Sequence, residues 1–189
     1  MLKKEIRKIY TEKRLALSPE QYATDSDLML RLFKQVNRKD VRVLMSYFPF
    51  HERLEFNVML CEHFLSSTNP TLKIAHPRIA PDGINMDPIL INKDSEYSQN
   101  RYNISEPQNG NLVSPKDIDL VFVPLLAFDS RGYRVGYGKG FYDRFLLKCP
   151  ENVTTVGFSF FPAIDAISDI SQFDVPLALC ITPTRVYEF

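Results

Sequence analysis

Between Pro124 and Asp143 the chain reads PLLAFDSRGYRVGYGKGFYD, and four of its seven glycines, Gly132, Gly136, Gly138 and Gly140, fall in this run. Glycine lets a backbone come close to a ligand and present its N–H groups to a phosphate. Arg134 and Lys139 add two positive charges, so the chemistry this segment suits is the holding of an anion. A plainer reading also stands on the run alone, a tight connection that uses glycine for its positive φ angles. Two standard phosphate motifs are excluded. A P-loop needs Ser or Thr after its Lys, whereas Lys139 precedes Gly140, and the glycines are spaced GxGxG rather than GxGxxG.

A second group of cations lies at the start of the chain, where Lys3, Lys4, Arg7, Lys8, Lys13 and Arg14 face only Glu5 and Glu12. On a helix Lys3 shares a face with Arg7, and Lys4 with Lys8. An ordinary solvated helix surface accounts for this cluster; a second phosphate-facing group is the sharper alternative. Metal-binding patterns are lacking: His51-Glu52 is followed by Arg53-Leu54-Glu55 with no second His ligand, and Cys61, Cys149 and Cys180 form no CxxC pair. Reduced, buried thiols are expected.

These residues need elements to position them. The run from Ile118 to Pro124 is apolar and β-branched and reads as a buried strand, while Phe141 to Lys148 has helical apolar spacing. The glycine run therefore sits between a strand and a helix, where open α/β sheets bind ligands. Upstream, Leu2, Ile6, Ile9 and Tyr10 mark a helix reaching towards Leu17, and Ser18 with Pro19 and Gln21 starts a second one carrying Leu28, Leu32, Phe33 and Val36. Val41 to Tyr47 reads as a strand, Glu55 to Leu65 as a helix, Leu72 to Ala75 as a strand ending before Pro77, and Met86 to Ile91 as another strand. Asn92 to Asp117 is polar and weakly periodic and reads as a long functional loop. Thr154 to Phe158 and Leu177 to Thr182 close the sheet. The alternation predicts a three-layer α/β fold, a mostly parallel open sheet with helices on both faces.

At 189 residues, 44% hydrophobic and 24% charged, one globular domain over residues 1–189 is expected. Lys plus Arg and Asp plus Glu number 23 each, which gives no reason to expect a nucleic-acid or anionic-membrane partner. No apolar run reaches the roughly eighteen residues of a membrane span, and the basic N-terminus lacks the apolar stretch of a signal peptide, so a cytoplasmic location is expected.

Three segments in order, KKEIR at Lys3 to Arg7, Asn103-Ile104-Ser105-Glu106-Pro107, and AFDSRGYRVGYGKGFYD, together resemble the 5-formyltetrahydrofolate cyclo-ligase (methenyltetrahydrofolate synthetase) family over nearly the whole chain. The resemblance implies an open α/β fold like that of sugar-phosphate isomerases and CoA transferases. It also implies ATP- and magnesium-dependent conversion of 5-formyltetrahydrofolate to 5,10-methenyltetrahydrofolate, with release of ADP and phosphate. A monomer is expected. A formamide oxygen is a poor leaving group, so the family's chemistry phosphorylates it and lets N10 attack the activated carbon. Phosphoryl transfer asks for positioning and charge neutralisation more than for a protein nucleophile.

Carried over by the family's pattern, Lys3, Lys4 and Arg7 hold ATP phosphates together with Arg134, Val135, Gly136, Tyr137, Gly138, Lys139, Gly140, Phe141 and Tyr142. Arg134 and Lys139 are the expected catalytic cations, and Asp143 is the expected magnesium ligand, since a hard cation takes carboxylate oxygen and water; a helix N-terminal carboxylate is its alternative role. Tyr102, Tyr137 and Phe141 are candidates for contact with folate. For the carboxylate that meets the pterin, Glu52 is the first choice and Glu55 the second. One departure stands out: Ala178 occupies a position where the family usually carries an acidic residue, which puts a second metal-linked carboxylate in doubt. A folate or nucleotide binder without turnover and a sugar-phosphate isomerase of related fold are the competing functions.

Overall fold

A computed structural model describes residues 1–36 and 41–189. Helix α1, Lys3–Leu15, buries Ile6, Tyr10 and Arg14, and α2, Pro19–Gln35, buries Met29 and Phe33. The start of α2 is the one expected: Ser18 Oγ accepts from the Gln21 N–H at 3.1 Å and Pro19 fills the first helical position, where it has no N–H to waste. Strand β1, Val43–Met45, leads through a tight 3-10 turn at His51–Arg53 into α3, Met59–Thr68. Helix α3 begins later than its apolar spacing suggests. Leu54 turns the chain through φ 48° and the Glu55 carboxylate accepts from the Phe50 N–H, so residues 50–55 close a turn instead.

Strands β2, Lys73–Ile79, and β3, Met86–Leu90, follow as an antiparallel pair. Pro77 does not end β2; it faces Pro88 across the pair. Neither proline can donate, so this is one of the ladder's non-hydrogen-bonded positions. Within the stretch expected to be loop, β4, Tyr97–Gln99, and β5, Ser105–Pro107, pair as a hairpin outside the main sheet. Next come β6, Leu120–Val123, a short hairpin of β7, Ala127–Phe128, with β8, Arg134–Val135, then α4, Phe141–Leu146, β9, Thr154–Phe158, β10, Leu179–Ile181, and β11, Val186–Glu188.

The main sheet has seven strands in the order β11-β10-β9-β6-β1-β2-β3. Its inner pairings are parallel, and only the edge strands β3 and β11 run antiparallel. Alternation along β6 shows why both faces are covered. Phe122 packs with Met29, Phe33, Cys61 and Leu65 of α2 and α3, while Val121 and Val123 pack with Phe145 and Leu146 of α4. Helix α1 lies against the β7–β8 hairpin, with Ile6 and Tyr10 in a third cluster with Leu126, Ala127 and Val135. That docking brings the first turns of the chain to the glycine run. Among the described residues no helix is long and apolar enough to cross a membrane.

Candidate active site

The glycine run divides by role. Its first part builds the turn of the β7–β8 hairpin: fully buried Asp129 accepts from the N–H groups of Arg131, Tyr133 and Ile167, and Gly132 takes φ +84°. The second part, Gly136 to Gly140, lines a cavity of about 630 Å³ at the ends of β1, β2 and β6. There Arg7 Nε donates to the Gly136 carbonyl at 2.9 Å. At Gly138, φ +86°, an added Cβ would lie 3.1 Å from the Arg7 guanidinium, so a side chain there would crowd the cation that crosses the loop.

One end of the cavity gathers charge. Lys3, Arg7 and Thr11, each four residues apart on α1, face it along one stripe, with Arg134, Lys139, Asp143 and Asp174 opposite. Lys3 pairs with Asp174, and Arg134 donates to Asp143 Oδ1 at 2.9 Å and to the Val175 carbonyl. Burial works to lower the Arg134 pKa, while the Asp143 carboxylate beside it works to retain the proton. Partial burial opposes ionisation of Asp174, but its bonds from Lys3 and the Ser171 N–H outweigh that and hold it below the usual carboxylate range. Both bonds to Asp143 from its neighbours, Arg134 and the Val175 N–H, fall on Oδ1, so Oδ2 is the oxygen able to meet a cation.

The other end is aromatic and carries the buried Glu55 carboxylate. Glu55, 4% exposed, accepts from the Phe50 N–H through Oε2 and from the Tyr137 hydroxyl through Oε1, and Arg14 Nη2 donates to that same hydroxyl at 2.7 Å. Burial raises the Glu55 pKa, and the Tyr137 bond and Arg14 charge only partly offset it. Tyr47, Phe48, Phe50, Tyr102 and Phe141 complete this end. Lys139 spans the two ends, its Nζ 5.1 Å from the Tyr102 ring centre.

The cavity thus offers cations and carboxylates for a metal-linked polyphosphate at one end and a flat apolar slot with a buried acid at the other. The family model for 5-formyltetrahydrofolate cyclo-ligases matches residues 2–176. The chain belongs to the 5-formyltetrahydrofolate cyclo-ligase family. The 5-formyltetrahydrofolate cyclo-ligase of Escherichia coli is 27% identical over 185 residues, covering 94% of this chain and 98% of that one. The Mycoplasma genitalium enzyme is 36% identical over 74 residues, 39% of this chain and 45% of that one. The solution structure of Aquifex aeolicus 5,10-methenyltetrahydrofolate synthetase superposes with a TM-score of 0.81 at 26% identity, covering 100% of this chain and 93% of that one. The expected α/β fold is that of this family.

Within the cyclo-ligase cavity, most residues singled out by sequence lie in the wall: Lys3, Arg7, Arg134, Gly136, Tyr137, Gly138, Lys139, Gly140, Phe141, Tyr142, Asp143, Tyr102 and Glu55. Three lie elsewhere. Lys4 is exposed beside Lys3 on another face of α1, Val135 is fully buried in the core, and Glu52 is exposed on the 3-10 turn. Of the two glutamates considered, Glu55 is the one in the cavity. Ala178 is also outside the wall, its N–H bonded to Thr155 Oγ1 at 2.7 Å. The carboxylate that this C-terminal segment brings to the phosphate end is Asp174, four residues earlier, which sequence reasoning passed over. Arg14 was missed as well, since a second arginine on a basic helix looks like surface until the helix face is known.

Proposed function

We propose that this protein uses ATP and magnesium to convert 5-formyltetrahydrofolate to 5,10-methenyltetrahydrofolate, releasing ADP and phosphate. The observation that carries the reading is the two-ended cavity, in which Lys3, Arg7, Arg134 and Lys139 share one space with Glu55 and a set of aromatic rings. A single working domain over residues 1–189, a monomer as the working form and the expected cytoplasmic location belong to the same reading.

The triphosphate lies along the α1 stripe and the Gly136 to Gly140 backbone, its charge met by Lys3, Arg7 and Arg134. Asp143 Oδ2 and the Asp174 carboxylate would hold a magnesium ion, because they are hard oxygen donors lining the same cavity as the phosphate-binding cations. When bound, the metal supplies neutralisation of phosphate charge. Pterin enters the aromatic end, where the Glu55 carboxylate accepts from its amino and ring N–H groups, exchanging the Tyr137 hydroxyl for the ligand. The formyl oxygen then points towards the γ-phosphate. An O–P bond forms to the formyl oxygen as the γ-phosphate leaves ADP; N10 next attacks the activated carbon and loses its proton, and phosphate departs with that oxygen. Lys139, which reaches both ends, meets the charge that develops on the transferred group.

Mixing the protein with 5-formyltetrahydrofolate, ATP and magnesium tests the reading through appearance of the methenyl chromophore. ATP-dependent product is expected; none would leave a folate or nucleotide binder. Ala178 and Glu52, the two positions that depart from the family's pattern or align poorly with it, lie outside the cavity, whereas Asp174 and Glu55 lie in its wall.

A further inference from the structure

Behind the aromatic end of the cavity lies a set of buried polar groups that the proposed chemistry leaves unused. Ser46 follows β1, His76 lies in β2, Glu62 in α3 and Tyr97 opens β4. Ser46 Oγ donates to Glu62 Oε1, His76 Nε2 lies 3.1 Å from that same oxygen, and the Tyr97 hydroxyl lies 3.0 Å from His76 Nδ1. Ser46 and His76 are at most 1% exposed and Glu62 is 7% exposed. One polarity uses every donor: the Tyr97 hydroxyl donates to Nδ1, and the Nε2–H and the Ser46 hydroxyl both donate to Glu62. Burial, with the Glu62 carboxylate next, pushes the Tyr97 phenol up to about 12, so it keeps its proton.

A buried carboxylate is a costly way to fill a core that apolar side chains would fill more cheaply. What the network gains is a fixed end point. Tyr97 packs its ring 5.6 Å from that of Phe48, which lines the cavity. Tyr97 also begins the β4–β5 hairpin, which stands outside the main sheet and supplies Asn100, Tyr102, Ile104 and Glu106 to the cavity wall.

We propose that His76 is a positioning residue for the folate end: through Nδ1 it holds Tyr97, and through Tyr97 it sets the Phe48 ring and the hairpin wall. This inference rests on the folate reading given above and adds a residue that does not touch the ligand.

The two ring nitrogens can be tested separately. Asn at position 76 places its amide near Nδ1 and can keep the Tyr97 link; Gln places its amide near Nε2 and keeps the Glu62 link. For His76→Gln and for Tyr97→Phe, the KM for 5-formyltetrahydrofolate is expected to rise about fivefold, the worth of one hydrogen bond, with the KM for ATP and kcat within about twofold of wild type. His76→Asn is expected to keep the folate KM within about twofold even where its Tm falls. Unchanged folate KM in Tyr97→Phe and His76→Gln would overturn the proposal, as would KM values that follow Tm across all three variants. Calorimetric titration of 5-formyltetrahydrofolate into the same proteins should give the same ranking without turnover. A wild type that binds folate but does not turn over would fail the catalytic reading alone, and one that binds no folate would overturn both.

Discussion

The two ends of the cavity are prepared in opposite ways. At the phosphate end charges are already matched, Lys3 with Asp174 and Arg134 with Asp143, and a ligand enters by exchanging partners. At the proposed folate end the buried Glu55 carboxylate sits among rings, held by the Phe50 N–H and by a Tyr137 hydroxyl that Arg14 in turn holds, with burial opposing its charge. The first end is set by charge number and the second by desolvation. Substitutions at the first should therefore act on turnover and metal-nucleotide affinity, and those at the second on folate affinity and pH response.

The largest effect is expected from Arg134→Ala. Its side chain is 6% exposed, and removing it leaves Asp143 without its cation, which should cost about 3 kcal/mol of stability together with most turnover. Chemical denaturation and the chromophore assay would read the two losses. Lys139→Ala should lower kcat by about a hundredfold while leaving Tm nearly unchanged, because Lys139 is exposed and its Nζ lies over the Tyr102 ring. A normal rate would remove Lys139 from the transfer step.

Glu55→Gln sharpens the contrast from the other end. The folate KM is expected to rise about tenfold with the KM for ATP unchanged. Its pH signature has a defined sign. Because the folded pKa is raised, the carboxyl's contribution to stability is full below the unfolded value of about 4.5 and is lost as pH rises through the folded value. Thermal unfolding of wild type should therefore weaken relative to the Gln variant as pH is raised from about 4.5, and a constant difference would contradict burial as the cause. The smallest effect is expected from Glu52→Gln, within about twofold in every kinetic constant. A large folate effect there with none at Glu55 would reverse the assignment of the two glutamates.

Much of the phosphate end was legible because its parts announce themselves by type and spacing. The four-residue recurrence of Lys3 and Arg7 needs only a helix to become a face, and the glycine run needs only a strand before it. Asp174 escaped notice because Phe173-Asp174-Val175-Pro176 has no periodicity; its place follows from an irregular segment returning across the glycine loop to meet Lys3. Glu52 and Glu55 could not be told apart, since a helix starting at residue 55 would turn them differently from the αL turn at Leu54 that the chain makes. The β4–β5 and β7–β8 hairpins were hidden by brevity, their strands being too short for alternation to register.

The pairing of Lys3 with Asp174 joins positions 171 residues apart, and that of Arg7 with the Gly136 carbonyl joins positions 129 apart. Neither contact can exist on a nascent chain until most of it has left the ribosome, so the charged end of the cavity is among the last features to assemble, after the local helices and the β2–β3 pair. A ligand bound there, as proposed for the nucleotide, would recognise molecules in which these distant segments have already met. By mass action such a ligand would withdraw them from the pool open to aggregation and proteolysis.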